Sequence, residues 1–400
     1  MTKPFAARNR KKSRAFHAGI FSLPIPLLVL FLLLSSCVKA PPPPPDVPPR
    51  VEKIPPLAPV DWSEVAGWND RSQDFLAPFQ VFRNSCAALK TRSPWREVCG
   101  RAEELTAESQ EQARRFFESF FRPHQVRNED GNIEGLMTGY YVPDLVGRRH
   151  PTARFRHPLY RVPDDLLTID LGEFRKDLQG LRLRGRLDGK KIIPYWVRSQ
   201  IDGPQKPLLG QELFWVEDPV DLFFLHIQGS GRILLENGAT VMVGYAEQNG
   251  HAYRSIGKLL IDSKEMTREQ MSMQNIRAWA RRNPDKTLQL LGENPRYIFF
   301  RELPPRFQTP PGSLGIPLTP RLSLAVDPSV IPLGAPVMVA TLWPGHGGPL
   351  NKLMLAQDTG GAIKGPVRGD FFWGMGDAAG QLAGRMKEKC RFWVLLPREG

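Results

Sequence analysis

Cysteine is scarce: the 400 residues hold 4, at Cys37, Cys86, Cys99 and Cys390, none in a C-x-x-C pair. A small disulfide-stapled fold and a thioredoxin-type motif are excluded. Histidine is nearly as rare. Its 7 copies do not cluster and form no H-E-x-x-H, so no metal centre and no cofactor is expected. No apolar run reaches the roughly 20 residues that a spanning helix needs; the longest, residues 20–34, is broken by Pro24 and Pro26. Basic stretches interleaved with aromatics are missing, which argues against nucleic acid as a partner. Acidic residues are absent from the first twenty positions, where Lys3, Arg8, Arg10, Lys11, Lys12 and Arg14 supply six of the surplus charges behind the net +13. The remaining surplus is moderate and suits an anionic polymer or surface.

What is present divides into an address, a tether and a body. A hydrophobic content of 41%, with 22 Phe and 9 Trp, is ample for a globular core. Residues 1–36 read as a secretory signal peptide: a basic stretch, an apolar core, then Leu34-Ser35-Ser36-Cys37, which looks like a bacterial lipobox. Cys37 is thereby the expected site of lipidation and the first residue of the mature chain, which makes the membrane a partner. Val38, not Asp, follows it, so the periplasmic face of the outer membrane is the expected location. Residues 37–59 form a tether with ten prolines between Pro41 and Pro59; extended polyproline II at ~3.1 Å per residue gives it a reach of roughly 60 Å. Of the three later cysteines, Cys86 and Cys99 are nearest in sequence, but spacing leaves the three pairings open.

In the body, residues 102–122 have apolar positions at helical spacing and read as one amphipathic helix with Phe116, Phe117 and Phe120 toward the core. Thr267-x-x-Gln270 resembles a capping box opening a second helix to about Arg282. Short β-rich runs bounded by Gly and Pro lie at 221–228, 232–236, 240–245, 297–301, 323–326, 336–342, 353–357 and 392–396. Asn237-Gly238 predicts a type I′ hairpin. Many short strands point to barrels.

Chemistry concentrates near the C-terminus. Asp327, Asp358 and Asp370 close or open strand-like runs, and Gly360, Gly361, Gly365 and Gly369 allow close approach of a ligand. Asp327, followed by Pro328, reads as a turn cap. Asp370 reads as an acid: Phe371, Phe372 and Trp373 would desolvate it and a second carboxylate nearby would repel its charge. Both effects raise its pKa above the ordinary ~3.9, as a general acid requires.

The motifs G-Y-Y-V-P (139–143), F-L-H-I-Q-G-S-G (224–231), G-Y-A-E-Q-N-G-H-A-Y-R-S-I-G (244–257), N-P-R-Y-I-F-F (294–300) and the three-aspartate region to Pro397 resemble the membrane-bound lytic murein transglycosylase A family over about residues 130–397. The resemblance implies a mainly β fold. A double-psi β-barrel domain from residues 60–165 and 304–400 would be interrupted by a smaller β-barrel at 166–303, with a few flanking helices and a glycan groove between the two. It implies peptidoglycan strands as substrate and cleavage of the β-1,4 bond between N-acetylmuramic acid and N-acetylglucosamine with 1,6-anhydro ends. Asp370 matches the family's single catalytic acid and base, and Asp358 a supporting aspartate. Cell-wall synthesis proteins are candidate partners, and a monomer is expected.

Secondary candidates each carry two readings. Gln228, Ser230 and Asn249 suit sugar hydroxyls or loop-holding hydrogen bonds. Lys364 suits lactyl or peptide carboxylates, or plain solvation. Tyr245 and Trp373, like Tyr140 and Tyr141, suit sugar faces or the core. Three rival readings stand beside the main one: an aspartic protease, for which Asp358-Thr359-Gly360 occurs once where two copies are needed; a wall-binding lipoprotein without turnover; and a muramidase-type hydrolase using Asp358 as a second carboxylate.

Overall fold

The computed structural model describes residues 54–345 and 347–398. The signal peptide, Cys37 and most of the tether lie outside the described residues. The tether's last residues do not: Leu57–Pro59 is a short edge strand paired with Phe121–Val126, a place where proline's missing N–H is tolerated.

Two sheets organise the body. The first has eight strands in the order Leu57–Pro59, Phe121–Val126, Lys387–Pro397, Pro336–Leu342, Pro349–Asp358, Ser323–Ala325, Arg368–Met375 and Gly135–Val142. Lys387–Pro397 also pairs with Gly135–Val142, from Lys387 opposite Thr138 to Cys390 opposite Gly135. Leu324, Val337, Leu355, Phe371, Phe392 and Val394 bury its apolar face. Three helices, Leu76–Leu89, Trp95–Glu104 and Gln110–Phe120, lie against it. Phe79, Phe82, Phe116, Phe117 and Phe121 join them through mostly edge-on ring contacts, and a Cys86–Cys99 disulfide ties the first two helices. Cys390 is free and buried.

The second sheet has six strands: Ile298–Glu302, Thr240–Gln248, Ser230–Leu234, Asp144–Arg148, Glu212–Val216 and His157–Tyr160. A three-stranded ribbon, Leu167–Asp170, Arg182–Asp188 and Lys191–Pro194, projects from it. The chain passes from the first sheet to the second at Pro143, whose carbonyl accepts from the Arg232 N–H at 2.9 Å. Asp144–Arg148 and His157–Tyr160 thus belong with the second sheet, and the crossing precedes the expected boundary between 165 and 166. Turn and strand signals near 143 were too weak to mark it.

Four local expectations change. Residues 102–122 are not one helix: the chain leaves helical geometry at Leu105 and restarts where the Ser109 hydroxyl accepts from Gln112 N–H, because a cap outweighs a few good helix formers. The helix expected from Thr267 begins at Met273, capped by Ser272; Thr267 and Gln270 do exchange hydrogen bonds, but only to close a turn. Residues 221–228 are helical, not extended. Asp218 caps the helix Pro219–Gln228, Pro219 sits in its first turn and Gly229 ends it at φ +77°; with Leu222 to His226 buried in succession, so short an apolar run does not separate a helix from a buried strand. The 230–248 hairpin forms, but Asn237 is not at positive φ, so the turn is a Leu235–Gly238 turn followed by left-handed Gly238 rather than type I′.

Candidate active site

Sheet register builds the site. Thr138, Asp370, Ala325 and Asp358 are successive cross-strand neighbours on four adjacent strands. The two carboxylates therefore stand two strand spacings apart, roughly 10 Å between their Cα atoms, with only the Ala325 methyl group between. Residues 138 and 140 share a strand face, and each sends a hydroxyl to one acid. Thr138 donates to Asp370 Oδ1 at 2.7 Å and Tyr140 donates to Asp358 Oδ2 at 3.0 Å. Between them Gly139 is forced: a Cβ there would come within 2.7 Å of Trp373 Nε1 and 2.9 Å of the Ala383 backbone.

Asp370 lies at the floor of a cleft of about 1590 Å³, half-buried, so that a substrate reaches it while protein encloses its other sides. Burial raises its pKa most. The Thr138 hydrogen bond and the Arg368 charge pull it down, the Asp358 charge adds a small upward push, and the result is about 6. Arg368 reaches Asp370's partner as well, donating to Thr138 Oγ1 at 2.9 Å. Oδ2 of Asp370 has no partner among the described residues and is free to carry a proton toward the cleft.

Asp358 is the opposite case. Burial raises its pKa, against donation from the N–H groups of Thr359 and Ser313 and the hydroxyls of Tyr140 and Ser313. With its oxygens so engaged it is a fixed acceptor rather than a proton carrier. Asp327 is a turn cap, as expected: it accepts from Ser329 N–H and hydroxyl and from Gly365 N–H at 2.8 Å.

The cleft walls come from both sheets: Tyr140 and Asp358 to Gly361 on one side, Gln228, Ser230, Tyr245 and Arg296 on the other, with the 303–315 loop at the rim. No group of three or more His, Cys, Asp or Glu among the described residues is placed to hold a metal.

Comparison with known proteins settles the family. The MltA specific insert domain matches residues 136–301 and the 3D domain matches residues 322–396. Membrane-bound lytic murein transglycosylase A of Escherichia coli K12 is 35% identical over 277 residues, 68% of this chain and 67% of that protein. This chain belongs to the membrane-bound lytic murein transglycosylase A family. Among solved structures, MltA from Neisseria gonorrhoeae superposes with a TM-score of 0.74 at 40% identity, over 87% of this chain and 98% of that one. E. coli MltA with bound chitohexaose does so at 0.57 and 28% identity, over 86% and 92%.

Against this MltA-type frame the candidate residues sort clearly. Asp370, Asp358, Gln228, Ser230 and Tyr245 line one cleft, although Gln228 Oε1 also accepts from the Tyr141 N–H at 3.1 Å. Trp373 does not line it. With Phe371 it faces the opposite side of the strand, in the core, where its indole N–H meets Met386 Sδ; only Phe372 shares the Asp370 face, so two of the three aromatics thought to desolvate the acid do not. Asn249 is buried and structural: its amide donates to the Trp196 and Pro295 carbonyls, both at 2.8 Å, and its oxygen accepts from Tyr297 N–H. Lys364 is exposed and outside the cleft lining, beside Asp327. Sequence reasoning missed Thr138, Ser313 and Arg368. Thr138 precedes the G-Y-Y motif by one residue, and alternation along that strand, with Tyr140 two residues on, was the signal that pointed to it.

Proposed function

We propose that this chain is a lytic transglycosylase of peptidoglycan, cleaving the β-1,4 bond between N-acetylmuramic acid and N-acetylglucosamine and leaving 1,6-anhydromuramoyl ends, with Asp370 as acid and then base. The observation that carries the reading is one carboxyl with a pKa raised to about 6 and an unpartnered oxygen facing a long cleft, in a member of this family. Protonated Asp370 Oδ2 gives its proton to the glycosidic oxygen as the C1–O bond breaks, and positive charge develops at C1. Asp358, held as an acceptor by four donors, adds negative field on the same floor. Ionised Asp370 then takes the proton of the muramoyl C6 hydroxyl as that oxygen closes onto C1. The proton count returns to its start and no water is consumed. Gln228, Ser230 and Tyr245 serve as sugar contacts along the wall.

The reading extends to architecture and place. The strands 135–142, 323–325, 336–342, 349–358, 368–375 and 387–397 are taken as a closed double-psi barrel, supported by the double pairing of Lys387–Pro397. The second sheet is taken as an inserted barrel, supported by the Arg161–Phe300 bridge between its edges. Lipidation of Cys37 would hold the enzyme at the periplasmic face of the outer membrane, with the proline tether spacing the body toward the wall.

Digestion of purified murein followed by mass analysis tests the chemistry: products one water lighter than hydrolytic ones are expected, and ordinary reducing ends would reject the transglycosylase reading in favour of a hydrolase. Asp370→Asn is expected to keep the fold and lower turnover by roughly 10²–10⁴.

A further inference from the structure

The cleft carries positive charge that a neutral glycan does not explain. Arg296, Arg301 and Arg306 all line it, and none has a carboxylate within 4.0 Å among the described residues. The other cations of the site are accounted for: Arg198 is buried against His226 and near Asp202, and Arg368 serves Thr138 and Asp370. The one further acid of the lining, Glu302, is taken by Arg149.

Arg296 is the best placed of the three. Its guanidinium lies beside Gly361, where a Cβ would come within 3.2 Å of both terminal nitrogens, and its charge is felt by the Tyr245 hydroxyl of its own wall. It therefore reaches from the second-sheet wall to the loop that follows Asp358. Its backbone is pinned from beneath. Arg198 donates to the Arg296 carbonyl at 2.8 Å, Asn249 to the Pro295 carbonyl at 2.8 Å, and Asn294 Oδ1 accepts from the Arg296 N–H. A rigid segment that presents an unpaired, two-pronged donor fits a carboxylate better than a hydroxyl.

Murein strands place carboxylates close to the sugar backbone in one way, on the peptide stems amide-linked to the lactyl groups; the sugars themselves offer acetamides and hydroxyls. We infer that Arg296, Arg301 and Arg306 form a carboxylate-binding subsite for peptide stems, so that the enzyme favours stem-bearing strands over stripped ones whose lactyl groups carry neutral caps. This inference rests on the glycan-cleaving reading above and names its substrate class more narrowly.

The test compares murein strands carrying their stems with strands stripped by an amidase and then capped as neutral methylamides at the lactyl carboxylates the amidase frees, measured for release of anhydro-ended products and, with Asp370→Asn protein, for equilibrium binding without turnover. For Arg296→Gln and Arg306→Gln, the ratio of kcat/KM on stem-bearing to stripped strands is expected to fall about tenfold, the loss of one charged hydrogen-bonding partner, chiefly through KM, with Arg296→Lys partly restoring it. In the unsubstituted enzyme the same preference is expected to shrink as salt rises, a readout that stands if a variant does not fold. An unchanged ratio in both variants, or a preference indifferent to salt, overturns the subsite. If the native enzyme releases no anhydro ends from either strand, the cleavage reading fails, while stem-dependent, salt-sensitive binding by the Asp370→Asn protein would still support the subsite.

Discussion

A single hydroxyl trims the upward shift that burial gives Asp370. Thr138 donates to the ionised form of Asp370 and so opposes the upward push of burial. Cleavage needs the protonated form, so kcat/KM is expected to fall as pH rises past about 6. Thr138→Val removes a donor that favours the charged carboxylate, and the descending limb of the pH profile should move to higher pH; a limb that stays put or moves down would show that the hydroxyl does not act on Asp370. The sequence pointed to Asp370 as the candidate acid, and part of its reason does not hold. Flanking aromatics suggested desolvation, whereas strand alternation turns Phe371 and Trp373 to the other face, and burial at the cleft floor supplies the effect instead.

Among elements, Asn249 shows how a polar residue in a glycine-punctuated motif can serve geometry rather than substrate. It clamps two stretches to its own, at Trp196 and at Pro295 to Tyr297. Asn249→Ala leaves the Trp196 carbonyl and the Tyr297 N–H without partners and takes one of two donors from the Pro295 carbonyl, and should destabilise the fold by about 2–4 kcal/mol, seen as a lower urea midpoint at unchanged slope. A variant as stable as the parent would mean that water replaces the amide without cost. The β-rich runs at 232–236, 240–245, 297–301, 323–326, 336–342, 353–357 and 392–396 were readable as short apolar runs bounded by Gly, Pro and other turn residues. The helix Pro219–Gln228 was not, since five successive buried residues, Leu222 to His226, give so short a run no periodic signal. Nor was the start of the second sheet at Asp144, which depends on pairing with Glu212–Val216 and Ser230–Leu234, partners no local window contains.

At the scale of the whole molecule, the helical cap on the first sheet is stapled by Cys86–Cys99 across a separation of 13 residues. Closing a loop of that size removes unfolded-state freedom worth about 3 kcal/mol, so thiol reduction should lower the denaturation midpoint without abolishing activity in the folded protein; an unmoved midpoint would place the helices' stability in the phenylalanine cluster alone. The acid at 370 and the hydroxyl that tunes it are 232 residues apart in sequence, and the donors around Asp358 come from positions 140, 313 and 359. No unfinished polypeptide contains this machinery. An extended chain is consequently harmless to the wall, and its cutting power comes into being only when these distant segments have met.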